Sequence, residues 1–119
     1  GKYSADGIIL STPNGSTAYS LAAGGPVVDP DIQCIILTPV CPHSLFARSV
    51  IFCRDSVFTI SPAEEENSPL VISCDGEEAM PLNKSGKCVI KCADIDVGFI
   101  IFKEDTFTDV LYNKLATNS

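Results

Sequence analysis

The sequence predicts a mainly β domain, a small sandwich with one short helix after the first strand and a second helix near the C-terminal end. Three observations carry this. Short apolar runs rich in β-branched residues recur along the chain; Pro, Gly, Asp and Asn separate them; and only two stretches space their apolar residues as a helix does. At 119 residues, 45% of them hydrophobic, the chain has the size and apolar content for one domain around one core.

Gly7 to Ser11 is the first expected strand. Pro13 then fixes φ, Gly15 permits a close or left-handed turn, and Ser16 or Thr17 caps a helix about two turns long. That helix presents Ala18, Leu21 and Ala22 on one side and stops at Gly24-Gly25. The second strand is Gln33 to Pro39. Ile8-Ile9-Leu10 and Ile35-Ile36-Leu37 are apolar throughout, which predicts cover on both faces of these two strands. Further strands are expected at Val50 to Phe52, Ser56 to Ser61, Leu70 to Cys74, Cys88 to Cys92 and Val97 to Phe102, joined by turns of ordinary length. Within Ser56 to Ser61, Val57, Thr59 and Ser61 alternate with Phe58 and Ile60, so one face meets a core. Glu64-Glu65-Glu66 before Asn67-Ser68-Pro69 reads as a solvated loop, because adjacent like charges prefer water. The last element opens at Thr106, whose hydroxyl can cap the turn with Asp109, and carries Phe107, Val110, Leu111 and Leu115 at helical spacing.

The formal charge is −7, and the 8 Lys and Arg residues are scattered rather than gathered into a phosphate-tracking run, which argues against nucleic acid as a partner. No stretch approaches the ~20 consecutive apolar residues of a membrane span, and the start lacks a signal-peptide core, so the expectation is a soluble cytoplasmic protein. In that setting the six cysteines are reduced thiols. They include no C-x-x-C pair and His43 is the only histidine, so no metal site is expected. Cys88 and Cys92 share one strand face with Ile90 and read as small core residues. His43, between Pro42 and Ser44, reads as a loop-fixing residue.

Asp6 to Tyr19, continuing to Pro26, crowds hydroxyls around a strand, polar turn and helix start. Backbone N–H groups and Ser and Thr hydroxyls at such a start can meet phosphate or ribose oxygens, and Tyr19 can set a ring beside a base. The same residues also make a good turn with a good cap. Asp75-Gly76 reads as a β-turn.

The stretch resembles the D-G-x-x-x-S-T-P-x-G-S-T-A-Y signature of NAD kinases. Leu37-Thr38-Pro39-Val40-Cys41-Pro42-His43-Ser44-Leu45 resembles that family's T-P-x-C-P-H-S-L segment, and Cys74-Asp75-Gly76-Glu77 its later D-G-x motif. The resemblance implies transfer of the ATP γ-phosphate, or of a phosphoryl group from inorganic polyphosphate, to the adenosine 2′-hydroxyl of NAD, with Mg²⁺ neutralising the polyphosphate. It implies that residues 1–119 form the family's C-terminal β-sandwich, which works beside an N-terminal α/β domain carrying G-G-D-G and Asn-Glu motifs absent from this chain. The chain by itself is therefore expected not to catalyse.

Carried across by motif, the resemblance places Thr17, Ala18, Tyr19, Ser20, Leu21 and Ala22 beside the NAD adenosine, with Asn14 at the turn and Asp6 at the nucleotide, across a subunit interface. Asp75 is the one catalytic candidate. The resemblance also puts Glu77, beside Asp75 on a turn facing the nucleotide cleft, among the NAD-binding residues; it stands where many relatives carry Gln, and a carboxylate near a diphosphate adds repulsion unless a cation intervenes. The family also implies a homodimer or homotetramer. The alternative is a non-catalytic β-sandwich oligomerisation module; lipid kinases of related architecture fit the Ser-Thr-Pro-x-Gly-Ser-Thr-Ala-Tyr stretch less well.

Overall fold

Ile8, Ile9 and Leu10 are extended and apolar, and they gain cover by pairing: β1 (Gly7–Ser11) lies beside β2 (Cys34–Val40), which in turn lies beside β3 (Val50–Cys53). The structure, a computed structural model, describes residues 2–64, 67–102 and 106–117. Both pairings are antiparallel, with Leu10 opposite Leu37 and Ile36 opposite Ile51. The central β2 is buried from Cys34 to Pro39. β1 is half-buried throughout, so the expected cover on both faces holds for β2 and only in part for β1. Val28, Cys34 and Ile36 form the buried cluster.

The link from β1 to β2 differs from the single helix expected. A 3-10 turn, Asn14–Thr17, is followed by a four-residue helix α1, Tyr19–Ala22. Neither Ser16 nor Thr17 caps a helix; Pro13 and Ala18 occupy the cap positions without side-chain bonds. The inward face also differs. Ser16 and Ser20 are buried, whereas Ala18 and Ala22 are exposed and Leu21 is half-buried. Small hydroxyl side chains suit this face because its neighbours are polar: the Val28 N–H for Ser16 and the Thr38 hydroxyl for Ser20.

α1 stops where the glycines predict. The Gly24 N–H donates to Leu21 O at 2.9 Å and the Gly25 N–H to Ser20 O at 2.8 Å, the paired bonds of a Schellman ending, with Gly24 in the left-handed region at φ +87°.

The remaining strands make two antiparallel pairs: β4 (Phe58–Ile60) with β7 (Cys88–Ile90), and β5 (Leu70–Ile72) with β6 (Met80–Leu82). Phe52 of β3 and Phe58 of β4 meet edge to face, centroids 5.0 Å apart. The alternation at 57–61 is as expected, and Cys88, Ile90 and Cys92 are half-buried together while Val89 is exposed. β6 was not expected. Pro81 donates nothing to a ladder and is tolerated because the two-stranded sheet leaves β6 a free edge.

Val97 to Phe102, expected as a strand, has no regular structure, and its apolar side chains are exposed, Phe102 at 96%. The run has strand composition, and among the described residues no other strand pairs with it. α2 (Phe107–Thr117) follows as expected. Thr106 Oγ1 accepts the Asp109 N–H at 3.2 Å and donates to Asp109 Oδ2 at 2.6 Å, although Val110 and Leu115 of the apolar stripe stay exposed. Of the acidic run expected as a loop, Glu65 and Glu66 lie outside the described residues. All six cysteines are free thiols. Among the described residues no helix is long and apolar enough to cross a membrane.

Candidate functional site

The turn between β1 and α1 is fastened by its own side chains. Thr12 Oγ1 accepts the Gly15 N–H at 3.2 Å, Ser16 Oγ donates to Pro13 O at 2.6 Å and accepts the Val28 N–H at 3.2 Å, and Thr17 Oγ1 donates to Asn14 O at 3.4 Å. The Ser16 and Ala18 N–H groups bond to Pro13 O and Gly15 O. The N–H groups of Gly15, Ser16 and Ala18, which the sequence offered to a ligand, are thus used within the turn.

The outward surface is what these bonds leave over. Asn14, Ala18, Tyr19 and Ala22 are exposed, Tyr19 at 63%, while Thr17 and Leu21 are half-buried. Ser20, expected beside the adenosine, is 1% exposed and its hydroxyl lies 3.0 Å from Thr38 Oγ1. Its side chain serves the attachment of α1. Ser11 Oγ is buried with no hydrogen-bond partner.

Asp6 lies at the opposite end of β1 from Asn14, a strand of five residues away, or roughly 17 Å. There His43 forms a small exposed cluster: Ser4 Oγ and His43 Nδ1 are 3.2 Å apart, the His43 N–H donates to Ser4 O at 2.9 Å, and His43 Nε2 lies 3.7 Å from Asp6 Oδ1. Both side chains are mostly solvated, so the pair contributes little energy, but the contacts confirm His43 as a loop-fixing residue.

Asp75 and Glu77 sit on the β5–β6 hairpin, exposed. Asp75 at φ +48° and Gly76 at φ +78° form its turn, closed by the Glu77 N–H to Cys74 O at 2.9 Å, with Ser73 Oγ donating to Glu77 O at 2.9 Å. Two successive positive φ values select Asp-Gly as in a type I′ turn. Among the described residues no hydrogen bond or ion pair joins this turn to α1, and no three His, Cys, Asp or Glu residues lie together as a metal site. Thr38 and Ser49, which sequence reasoning missed, belong to the α1 attachment. The signal available was Ser16 and Ser20, two small hydroxyl residues within the stretch expected as one helix.

A family model described as the ATP-NAD kinase C-terminal domain matches residues 1–101. An NAD kinase of Thermoanaerobacter sp. (strain X514) is 44% identical over 114 residues, covering 96% of this chain and 40% of that protein. NAD kinase 2 of Prochlorococcus marinus (strain NATL2A) is 46% identical over 113 residues, covering 95% and 37%. A crystal structure of yeast NADH kinase complexed with NADH matches with TM-score 0.59 and 39% identity, covering 71% of this chain and 24% of that one. The chain thus spans about two fifths of the length of the curated relatives it matches.

Proposed function

The chain belongs to the ATP-NAD kinase C-terminal domain family, and from that premise we propose that it forms the adenosine-binding side of an NAD kinase active site, making NADP from NAD. The observation that carries this reading is the exposed Tyr19 at the start of α1, directly after a turn that Thr12 and Ser16 fasten from within, so a flat surface stands on a fixed base. Tyr19 would lie along the adenine, with Ala18 and Ala22 leaving room for it, Leu21 supplying apolar contact, and Asn14 and Thr17 offering polar groups to the ribose. Ser20 contributes by holding α1. Asp6 and the Asp75-Gly76-Glu77 turn would meet the nucleotide from other elements.

In the reaction the 2′-hydroxyl oxygen attacks the terminal phosphorus of ATP or polyphosphate, the bond to the bridging oxygen breaks, and the hydroxyl proton passes to a base. The resemblance puts that base in an N-terminal α/β domain; Asp75 is the carboxylate this chain would bring. Mg²⁺ would travel with the phosphates. The described residues do not group into a cation site, so no step is assigned to metal held by this chain.

Surface area favours a chain that works while covered. It exposes 9345 Å², against roughly 6,200 Å² expected for a compact 12.6 kDa monomer. The same excess supports a second reading, a non-catalytic β-sandwich oligomerisation module, and a kinase assembled as a homodimer or homotetramer would combine the two. Six free thiols suit a cytoplasmic setting.

The test compares NADP formation by this chain with that by a chimera in which it follows the N-terminal portion of the Thermoanaerobacter relative. Activity in the chimera alone upholds the proposal. Activity in neither, with NAD-independent self-association, favours the module; activity in the chain alone refutes the assignment of the base.

A further inference from the structure

Thr38 lies in the middle of β2, opposite Ile9 of β1, and is 1% exposed. A buried hydroxyl costs stability unless it is bonded, and this one is bonded twice. Its Oγ1 lies 3.0 Å from Ser20 Oγ in α1 and accepts from Ser49 Oγ at 3.1 Å. A hydroxyl has one proton and two lone pairs, so accepting from Ser49 leaves Thr38 able to serve Ser20 in either direction. Gly25 closes over the pair: a Cβ there would stand 2.5 Å from Ser20 Oγ and 2.6 Å from Thr38 Oγ1. Ser20 directly follows Tyr19, so the rotation of α1 that satisfies Thr38 also sets where the Tyr19 ring points.

Resting on the NAD kinase reading above, we propose that Thr38 is a positioning residue for the nucleotide: through Ser20 it fixes the rotation of α1, and through Ser49 it ties that rotation to the 41–49 loop. That loop leaves β2 at Cys41 in the left-handed region, φ +45°, and at this end it lies beside Asp6: the His43 N–H donates to Ser4 O at 2.9 Å and the Asp6 N–H to Val40 O at 3.0 Å. One segment with no group of its own on the α1 surface thus connects the two separated parts of the expected nucleotide site.

The test uses Thr38→Val, which keeps the shape and removes the hydroxyl, with Thr38→Ser to restore it and Ile36→Val as a core control on the same strand. In this chain, hydrogen exchange is read at the Ala22, Ala23, Gly24 and Gly25 amides, which bond within α1 and its ending. Thr38→Val is expected to speed exchange there about tenfold, the scale of one or two lost hydrogen bonds, while the β5 and β6 amides keep their rates. In the chimera, it is expected to raise KM for NAD about tenfold and leave kcat and the KM for ATP within about twofold. Thr38→Ser is expected to recover both, and Ile36→Val to lower the thermal midpoint without moving the KM for NAD. Uniform acceleration of exchange, a KM shift shared by ATP, or an equal effect of Ile36→Val overturns the proposal. An inactive wild-type chimera removes the NAD kinase reading, and the exchange pattern then decides alone whether Thr38 holds α1.

Discussion

Gly25→Ala tests the attachment of α1 through volume alone. Its φ is not in the left-handed region, so a methyl group brings no backbone strain, and in open space the change would stabilise the fold by about 0.4–1 kcal/mol through the unfolded chain. Space is not open. The added Cβ would lie 2.5 Å from Ser20 Oγ, 2.6 Å from Thr38 Oγ1 and 2.8 Å from Ser20 O. The first two atoms can move only by breaking their 3.0 Å hydrogen bond, and the third is backbone within the α1 ending. Overpacking of this kind costs about 1–3 kcal/mol, and the lost bond adds about 1 kcal/mol. Offset by the entropic gain, the expected net loss is about 1–3.5 kcal/mol. Urea unfolding followed by circular dichroism reads it as a lower midpoint with an unchanged slope. Wild-type stability in Gly25→Ala would refute the close approach of Gly25, Ser20 and Thr38.

Two further outcomes follow from buried polar groups. Ser11 Oγ has no partner, so Ser11→Ala is expected to leave the urea midpoint unchanged or to raise stability by up to about 1 kcal/mol; a loss larger than that would show that the hydroxyl is bonded. Burial pushes the Cys34 thiol above its ordinary value, with nearby Cys92 adding to the rise. Folding therefore favours the protonated thiol. Its contribution is complete below about pH 8.5, where the unfolded thiol ionises, and is lost as pH rises through the higher folded value. Unfolding measured between about pH 7 and 10 should show a fall in stability that is smaller in Cys34→Ala; an identical slope in both proteins would exclude Cys34 as a source.

Strands were legible where an apolar run sat between strong turn signals. β1 occupies the residues read from the sequence, β2 is displaced by one, and β3 gains only Cys53. β6 was hidden because Pro81 interrupts its run, though the Asp75-Gly76 turn between two short apolar segments was a hairpin signal. Val97 to Phe102 failed for the opposite reason. Its composition is that of a strand, but pairing is not local, and no described strand lies beside it. The turn itself was legible from Pro13, Gly15 and the two terminal glycines. Which side of residues 14–22 faces inward was not, because Ala18, Leu21 and Ala22 were expected to share one side, whereas Ser16 of the 3-10 turn and Ser20 of α1 are the buried residues and bond to atoms 12 and 18 residues away.

The hydroxyl density that marked residues 11–20 as chemically interesting is mostly structural in use. Thr12 holds Gly15, Ser16 holds Pro13 and Val28, and Ser20 meets Thr38. These bonds occupy groups that a nucleotide would otherwise compete for, and they leave Asn14, Ala18 and Tyr19 facing outward. On the proposed reading, such a surface would gain order from its inner hydroxyls and contact from its outer side chains, so inner substitutions are expected to change stability and affinity together and outer ones to change affinity with the fold intact. Ser20 belongs to the inner set, although its place in the motif made it look like an outer residue.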